Sequence, residues 1–449
     1  MRCSFVPSHL LRQIAAAPGH GLAVDSETAS ACAATLEVDG GFRTRRAEVA
    51  SQVASEVASG VRAAAAGPGG WLVHTAANGD DLPGTPVRSD SEPESGDVAV
   101  DEAWSGIRAA LELFDQVYGR TSYDGEGARV LATVHYRTDY DNAFWDGTQL
   151  VFGDGDGRIF GRLTGPVDVL GHELTHAVTE YSAGLEYAGQ PGALNESISD
   201  VFGSCLKQRL LGQTAAEADW LIGAGLFLPG VDARGIRDLA APGTAYDDPV
   251  LGRDPQAGHM DGYVETVDDN GGVHLNSGIP NKAFWAAATA IGGHSWEGAG
   301  RIWYAALTGD RVTPTTDFAG FAAATLAVAG EHADAVAAAW TSVGIDPPAP
   351  ADPPAPPPDT VVRVNRSGGF AGLSTTGEVD LSSDDPRVPA VRALVERVDL
   401  ASLAPGRPQP DRFVYAFTLM GGPTVRIHEQ ALTPELRELA DLVLAKPRR

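Results

Sequence analysis

His172-Glu173-Leu174-Thr175-His176 is the stretch on which the reading of this chain turns. Two histidines four positions apart lie about 40° apart around a helix, so both imidazoles leave one face, one turn from each other, and a metal ion fits between them. Glu173 stands one position on from the first histidine, about 100° further round, which suits a carboxylate that touches a metal-bound water and not the metal. Two surface histidines on an amphipathic helix give the same spacing, so this segment alone decides nothing.

Asn195-Glu196-Ser197-Ile198-Ser199-Asp200 narrows the choice. Glu196 follows His172 by 24 positions, and Gly184, Gly189, Pro191 and Gly192 between them let the chain turn and return as a second helix. A glutamate there completes a two-histidine, one-carboxylate site with an open fourth position. Asp200 falls one turn beyond Glu196. Ligating histidines usually give their second ring N–H to a carboxylate, so Asp200 is expected to orient His172. The third segment is Asp268-Asp269-Asn270-Gly271-Gly272-Val273-His274. Its two glycines permit a tight turn that presents His274 from a loop or helix start. A donor there would stabilise an oxyanion, with Asp269 fixing the ring.

Around these motifs the composition is that of a globular chain. Its 449 residues, 43% hydrophobic and 20% charged, suffice for two or three domains and at least one large core. No apolar run approaches the roughly 18 residues that cross a bilayer; the longest, around Ala283 to Gly293, is cut off by His294. A formal net charge of -26 argues against nucleic acid and anionic membrane as partners. Pro7, His9 and Arg12 interrupt what a secretory signal needs as an unbroken apolar core. The expected location is therefore the cytoplasm, or the exterior by a nonclassical route. Cys3, Cys32 and Cys205 are widely spaced without a C-x-x-C pair, which favours free thiols over a disulfide or a cysteine metal site.

Residues 1–66 read as a pro-segment, helix-prone over Leu10 to Ala17 and Arg43 to Ala66, before Gly67-Pro68-Gly69-Gly70 breaks the pattern. From 67 to 345, helical and extended patterns alternate without a long linker, as in one catalytic unit with two lobes. The Pro-rich stretch within 346–359 must be extended and semi-rigid. Beyond it, in residues 360–449, Val361 to Val364, Val414 to Leu419 and Thr424 to His428 read as strands. Gly421-Gly422 is turn material, and Val388 to Val398 and Pro434 to Ala445 have helical spacing. The tail is thus a small α+β module.

Together with Asp141-Asn142-Ala143-Phe144-Trp145-Asp146-Gly147, Phe152-Gly153-Asp154-Gly155-Asp156-Gly157 and the run from Gly271 to Trp285, these motifs resemble the thermolysin family of metalloendopeptidases. The resemblance implies an α+β fold with a β-rich N-terminal lobe, a mainly helical C-terminal lobe and a zinc helix across the cleft. It implies Zn2+ held by His172, His176 and Glu196, Glu173 as general base, and His274 and Tyr187 as oxyanion donors. Asn142 and Ala143 match an edge strand that pairs with substrate backbone. Arg237 matches an arginine that binds a substrate carbonyl, and Phe160, Leu163, Val169 and Ile236 an apolar pocket beyond the scissile bond. The implied preference is for cutting on the amino side of hydrophobic residues.

The chain departs from the family's long members. Asp168 and Asp219 match the paired calcium site, but Lys207, Leu221 and Ala224 stand where further acidic residues would be. Such a set loses the oxygen ligands a hard cation needs, so no paired Ca2+ site is expected. This loss and the short first segment resemble the protealysin-like branch, whose precursors carry a brief pro-segment with a Pro-rich start. Phe5-Val6-Pro7 keeps one proline of that motif, and autolysis is expected between about Gly60 and Trp71. The tail, through Val362 to Gly372, Phe413 to Leu419 and Leu432 to Leu439, resembles emfourin, an inhibitor of protealysin-like enzymes. A 13-residue linker spans about 40 Å against a catalytic-unit radius near about 19 Å, so an inhibitory tail can reach a cleft. Two other readings stay open: a tail that targets other partners, and a zinc-binding pseudoenzyme, against which the retained Glu173 argues.

Overall fold

The computed structural model describes residues 4–20, 24–40, 69–346, 360–368, 375–383, 385–395, 397, 398, 400, 413–420, 422 and 425–444. The described residues form two compact units, one up to 346 and one from 360. The expected helix over Arg43 to Ala66, most of the expected cut region, the Pro-rich linker, Cys3 and the segment after Gly368 lie outside the described residues.

In the first unit, an N-terminal segment folds as helix α1 (Ser8–Ala16), a 3-10 turn and helix α2 (26–40). A five-stranded sheet follows, from β1 (Trp71–Thr75), β2 (Thr85–Ser89), β3 (Val130–Val134), β4 (Ala143–Trp145) and β5 (Leu150–Phe152), in the order β2-β1-β3-β5-β4. The strands β1, β3 and β5 run parallel, and β4 closes antiparallel on β5 as an edge. Helix α3 (Val98–Tyr118) packs on this sheet; Asp97 caps its first turn, its carboxylate accepting the Ala99 and Val100 amides, and Gly119 ends it at φ 68°.

The rest of the unit is helical: α4 (Val167–Glu180), α5 (Gly189–Leu211), α6 (Asp269–Asn276), α7 (Gly278–Ile291), α8 (Ala299–Leu307), α9 (Phe318–Val328) and α10 (Ala333–Thr341). Two-residue ribbons, β6 (Leu221–Ile222) with β7 (Arg237–Asp238) and β8 (Asp247–Asp248) with β9 (Gly252–Arg253), fill the α5–α6 connection. Gly189, Pro191 and Gly192, expected as turn material, instead form the first turn of α5. Proline is tolerated there because the first-turn amides lack intrahelical acceptors anyway. Every residue from Asp168 to Thr179 is buried, so α4 runs through the interior.

The second unit has an antiparallel sheet, β11-β10-β12-β13, of β10 (Val361–Gly368), β11 (Thr375–Asp380), β12 (Phe413–Leu419) and β13 (Val425–His428). Helices α11 (Val388–Val395) and α12 (Pro434–Leu444) bury Val391, Leu394, Leu436 and Leu439 against Val362, Val364, Phe417 and Ile427. Strand β11 escaped the sequence reading because Thr375-Thr376-Gly377-Glu378-Val379-Asp380 has almost no apolar alternation; β10 supplies its register.

Candidate active site

Helices α4 and α5 approach unusually closely because glycines face each other. A Cβ on Gly203 would stand 2.6 Å from the Asp168 carbonyl oxygen, and one on Gly171 3.0 Å from the Gly203 Cα. That approach lets side chains one turn further along interleave. His172 Nε2 and His176 Nε2 come within 2.9 Å of each other, with Glu196 oxygens 3.4 Å from the first and 3.6 Å from the second. All three residues are buried. On the far side of the rings, His172 Nδ1 meets Asp200 Oδ1 at 2.8 Å and His176 Nδ1 meets Asn195 Oδ1 at 2.8 Å. Those acceptors fix the Nδ1–H tautomers and turn both Nε2 lone pairs toward the gap.

Two lone pairs and a carboxylate facing one another require a positive charge between them. Burial lowers the His172 pKa, but Asp200 and Glu196 carry it up to about 9, while burial takes His176 down to about 3. A proton serves only the two rings; a cation with N,N,O preference, such as zinc, serves all three donors, so the residues fit the metal. A Glu173 oxygen lies within 4.8 Å of a ring nitrogen of each histidine. Neither of its oxygens has a partner in hydrogen-bonding geometry, and burial, partly opposed by His172, lifts it to about 8. Glu196 is held well below the usual range: burial works against this, but His274, His176 and His172 outweigh it.

The wall opposite is built by the start of α6. Asp269, Asn270, Gly271 and Gly272 all take positive φ, from 52° to 87°. This left-handed run curls the Asp269 carboxylate back onto its own helix. One oxygen accepts the His274 amide at 2.9 Å and the other meets His274 Nδ1 at 2.7 Å, leaving Nε2 aimed into the cleft. Tyr187 lies alongside, its hydroxyl donating to Glu196 and 3.5 Å from His274 Nε2. Arg237 is buried and forks onto both Asp200 oxygens at 2.8 Å, and Asn281 donates to Asp200 at 2.9 Å. Burial raises the Asp200 pKa, but Arg237 and His172 bring it to about 2.

The N-terminal segment lies in this cleft. Phe5 N–H donates to the Ala143 carbonyl at 3.0 Å, on the open edge of β4. Asn142 Oδ1 accepts the Val6 amide at 2.7 Å, and its Nδ2 donates to the Val6 carbonyl at 3.2 Å. The Phe5 ring is buried between the His172 ring edge at 5.2 Å and the Arg237 guanidinium at 4.9 Å. A Cβ on Gly223 would touch both Phe5 and Ile236; Phe160, Leu163 and Val169 are buried in the same core. Sequence reasoning attached no role to Phe5, Asn195 or Asn281. Asn195 and Asn281 sit in helices, where an inward polar residue announces itself by no periodicity.

Such donors, beside a buried carboxylate at the junction of a sheet lobe and a helical lobe, place the chain among the zinc-dependent metallopeptidases. It belongs to the thermolysin family, in the protealysin-like branch, and carries an emfourin domain. The family model "Thermolysin metallopeptidase, catalytic domain" matches residues 73–180 and its alpha-helical domain residues 183–345, while Emfourin matches 364–444. An extracellular metalloprotease of Pectobacterium carotovorum subsp. carotovorum is 52% identical over 286 residues, 63% of this chain and 82% of that protein. Protease PrtS of Photorhabdus sp. (strain Az29) is 47% identical over 280 residues, 61% and 76% of the two chains. The solved precursor of protealysin from Serratia proteamaculans aligns with TM-score 0.65 and 44% identity over 76% of this chain and 99% of that one. The protein is thus a zinc neutral endopeptidase.

Proposed function

We propose that His172, His176 and Glu196 hold the zinc, with Glu173 as general base and His274 and Tyr187 as oxyanion donors. The observation that carries this is the pair of Nε2 atoms 2.9 Å apart with Glu196 beside both. Zinc, when bound, supplies a Lewis acid that polarises a carbonyl and brings the pKa of water toward about 7. Glu173 takes a proton from the attacking water and delivers it to the departing amine. His274 Nε2, with Asp269 behind the ring, donates to the developing oxyanion, as does the Tyr187 hydroxyl. Arg237 and Asn142 bind substrate carbonyls, Ala143 pairs with substrate backbone, and Asp200 orients both His172 and Arg237. The pocket of Phe160, Leu163, Val169 and Ile236 selects a hydrophobic residue on the carboxyl side of the cut. Metal analysis and casein hydrolysis of Glu173→Ala test the reading: zinc is retained and the rate falls by about 10²–10⁴-fold. Full residual activity would refute the assigned base.

On the same reading, residues 1–66 are an inhibitory pro-segment, 67–345 the catalytic domain, 346–359 a linker and 360–449 an inhibitory tail. Support for the first comes from Phe5 and Val6, which occupy the cleft edge a substrate would use. The tail rests on its emfourin match; deleting it and finding unchanged activity, with no inhibition by the isolated tail, would sink that part. A tail captured by some other partner would make it a targeting module. No paired calcium site is proposed, because the Lys207 ammonium stands 3.4 Å from Asp168 and 2.7 Å from Asp219. Among the described residues no helix is long and apolar enough to cross a membrane. Action outside the cell is proposed from the extracellular relative.

A further inference from the structure

The N-terminal segment does more than cover the cleft. Its backbone runs through it in one defined register. Four contacts fix that register: Phe5 N–H on the Ala143 carbonyl at 3.0 Å, Arg237 Nη1 donating to the Phe5 carbonyl at 3.1 Å, the two-way bond between Val6 and Asn142, and His274 Nε2 3.1 Å from the Ser4 carbonyl oxygen. Only one peptide unit therefore has its carbonyl on the oxyanion donor and its amide on the edge strand, and that unit joins Ser4 to Phe5. The residue on its carboxyl side is a phenylalanine, buried in the same core as Ile236 and packed on the His172 ring.

We propose that the enzyme hydrolyses its own Ser4–Phe5 bond; the inference rests on the active-site reading above. Water oxygen bonds to the Ser4 carbonyl carbon and the bond from that carbon to the Phe5 nitrogen breaks. The proton taken by Glu173 passes to that nitrogen. The products are a Ser4 carboxylate and an amino terminus at Phe5, with one water consumed. This is trimming and not release. Residues after the cut keep their own anchors: His9 on the Tyr246 hydroxyl at 3.2 Å, Asp39 on the Tyr140 hydroxyl at 2.6 Å, and Thr35 on the Asp141 amide at 3.2 Å. A chain beginning at Phe5 stays blocked until a later cut frees the segment.

The test uses the full chain, prepared under chelator and then given zinc, followed by intact mass and amino-terminal sequencing. A new terminus at Phe5 is expected before activity toward an added peptide reaches its maximum, and no such terminus in Glu173→Gln. Phe5→Leu slows the cut by less than about tenfold, and Phe5→Asp by at least about 100-fold, because a carboxylate enters an apolar pocket. Hydrogen exchange in the uncleaved Glu173→Gln chain gives a second readout, with the Phe5 and Val6 amides slow and Phe5→Asp making both fast. An enzyme that hydrolyses added peptide while Met1 to Ser4 stay attached, or that cuts first at another bond of this stretch, overturns the inference alone. A zinc-loaded chain that cuts neither itself nor added peptide overturns the reading beneath it as well, and fast exchange at both amides overturns the register.

Discussion

Helices α4 and α5 carry two charge clusters, about one turn apart along α4, and the chain treats them in opposite ways. At one, Asp168 is fully buried and one of its oxygens lies 3.4 Å from the Lys207 ammonium and accepts the Gly223 amide at 3.2 Å. Lys207 also meets Asp219 and the Leu221 carbonyl. At the other, His172, His176 and Glu196 present acceptors to one another, and among the described residues no lysine or arginine pairs with them. Buried anions need a counter-charge. Where the chain supplies its own, the cluster is structure. Where it leaves the charge to an exchangeable cation, the cluster can do chemistry.

The largest effect should come from breaking the second cluster. Glu196→Gln keeps shape and volume but removes the anion. Outer partners of metal ligands are worth about 10–100-fold, so losing a ligand should lower zinc affinity by more than about 100-fold, with peptide hydrolysis falling in step. Unchanged zinc stoichiometry would return Glu173 as the third ligand.

Lys207→Met probes the first cluster. It leaves Asp168 buried without its partner and should cost about 3 kcal/mol of stability by thermal or denaturant unfolding, with zinc content unaltered. Lys207→Asp sharpens the contrast, turning that cluster into an acceptor set. Its melting temperature should then rise with added calcium while the parent's does not. Equal calcium responses in the two chains would mean that Lys207 is not what excludes the ion.

Asp200→Asn touches only the support of the active cluster. Nδ1 of His172 loses its charged acceptor and Arg237 loses half of its fork, so zinc affinity should fall by about 10–100-fold without unfolding the protein. An effect as large as that of Glu196→Gln would make Asp200 a ligand in its own right.

Much of this was legible in the sequence because it obeys helix geometry. The four-residue step from His172 to His176, and again from Glu196 to Asp200, puts each pair on one face whatever surrounds it. The turn before His274 was legible from Gly271-Gly272, although Asp269 and Asn270 also adopt left-handed backbone, which no glycine count reveals. What escaped depends on long-range contacts. Phe5-Val6-Pro7 was legible as the start of a pro-segment, but the register in which it meets Asn142, Ala143, Arg237 and His274, far along the chain, was not. Gly203 looked like any helix glycine until the Asp168 carbonyl was seen against it.

His9 is handled in neither of the two ways, and it gives the smallest expected effect. It lies on the N-terminal segment among His274, Arg237 and Arg12, with the Asp269 carboxylate acting against them. Its Nε2 meets the Tyr246 hydroxyl and its Nδ1 is buried without a partner. Burial first, and then His274, lowers its pKa to about 4. The released segment has the ordinary value of about 6.5, so the docked state binds its proton less readily than the free one. The contribution of His9 to docking is therefore intact above about pH 6.5 and is lost as the pH falls from there toward 4. Docking should be at least about tenfold weaker at pH 5 than at pH 8 on account of this group. Asp141 is a second titrating group beside the segment: burial and then Asp156 raise it to about 8, while the Cys32 thiol, which donates to it at 3.4 Å, works against that rise. Comparing His9→Gln with its parent separates the two. In Glu173→Gln chains, which cannot trim themselves, the ratio of α1 amide exchange in the parent to that in the His9→Gln variant, corrected for intrinsic rates, should rise at least about tenfold from pH 8 to pH 5. The same slope in both would show that the cleft tolerates an imidazolium at position 9, and that the contrast between built-in and borrowed charge stops at α4 and α5.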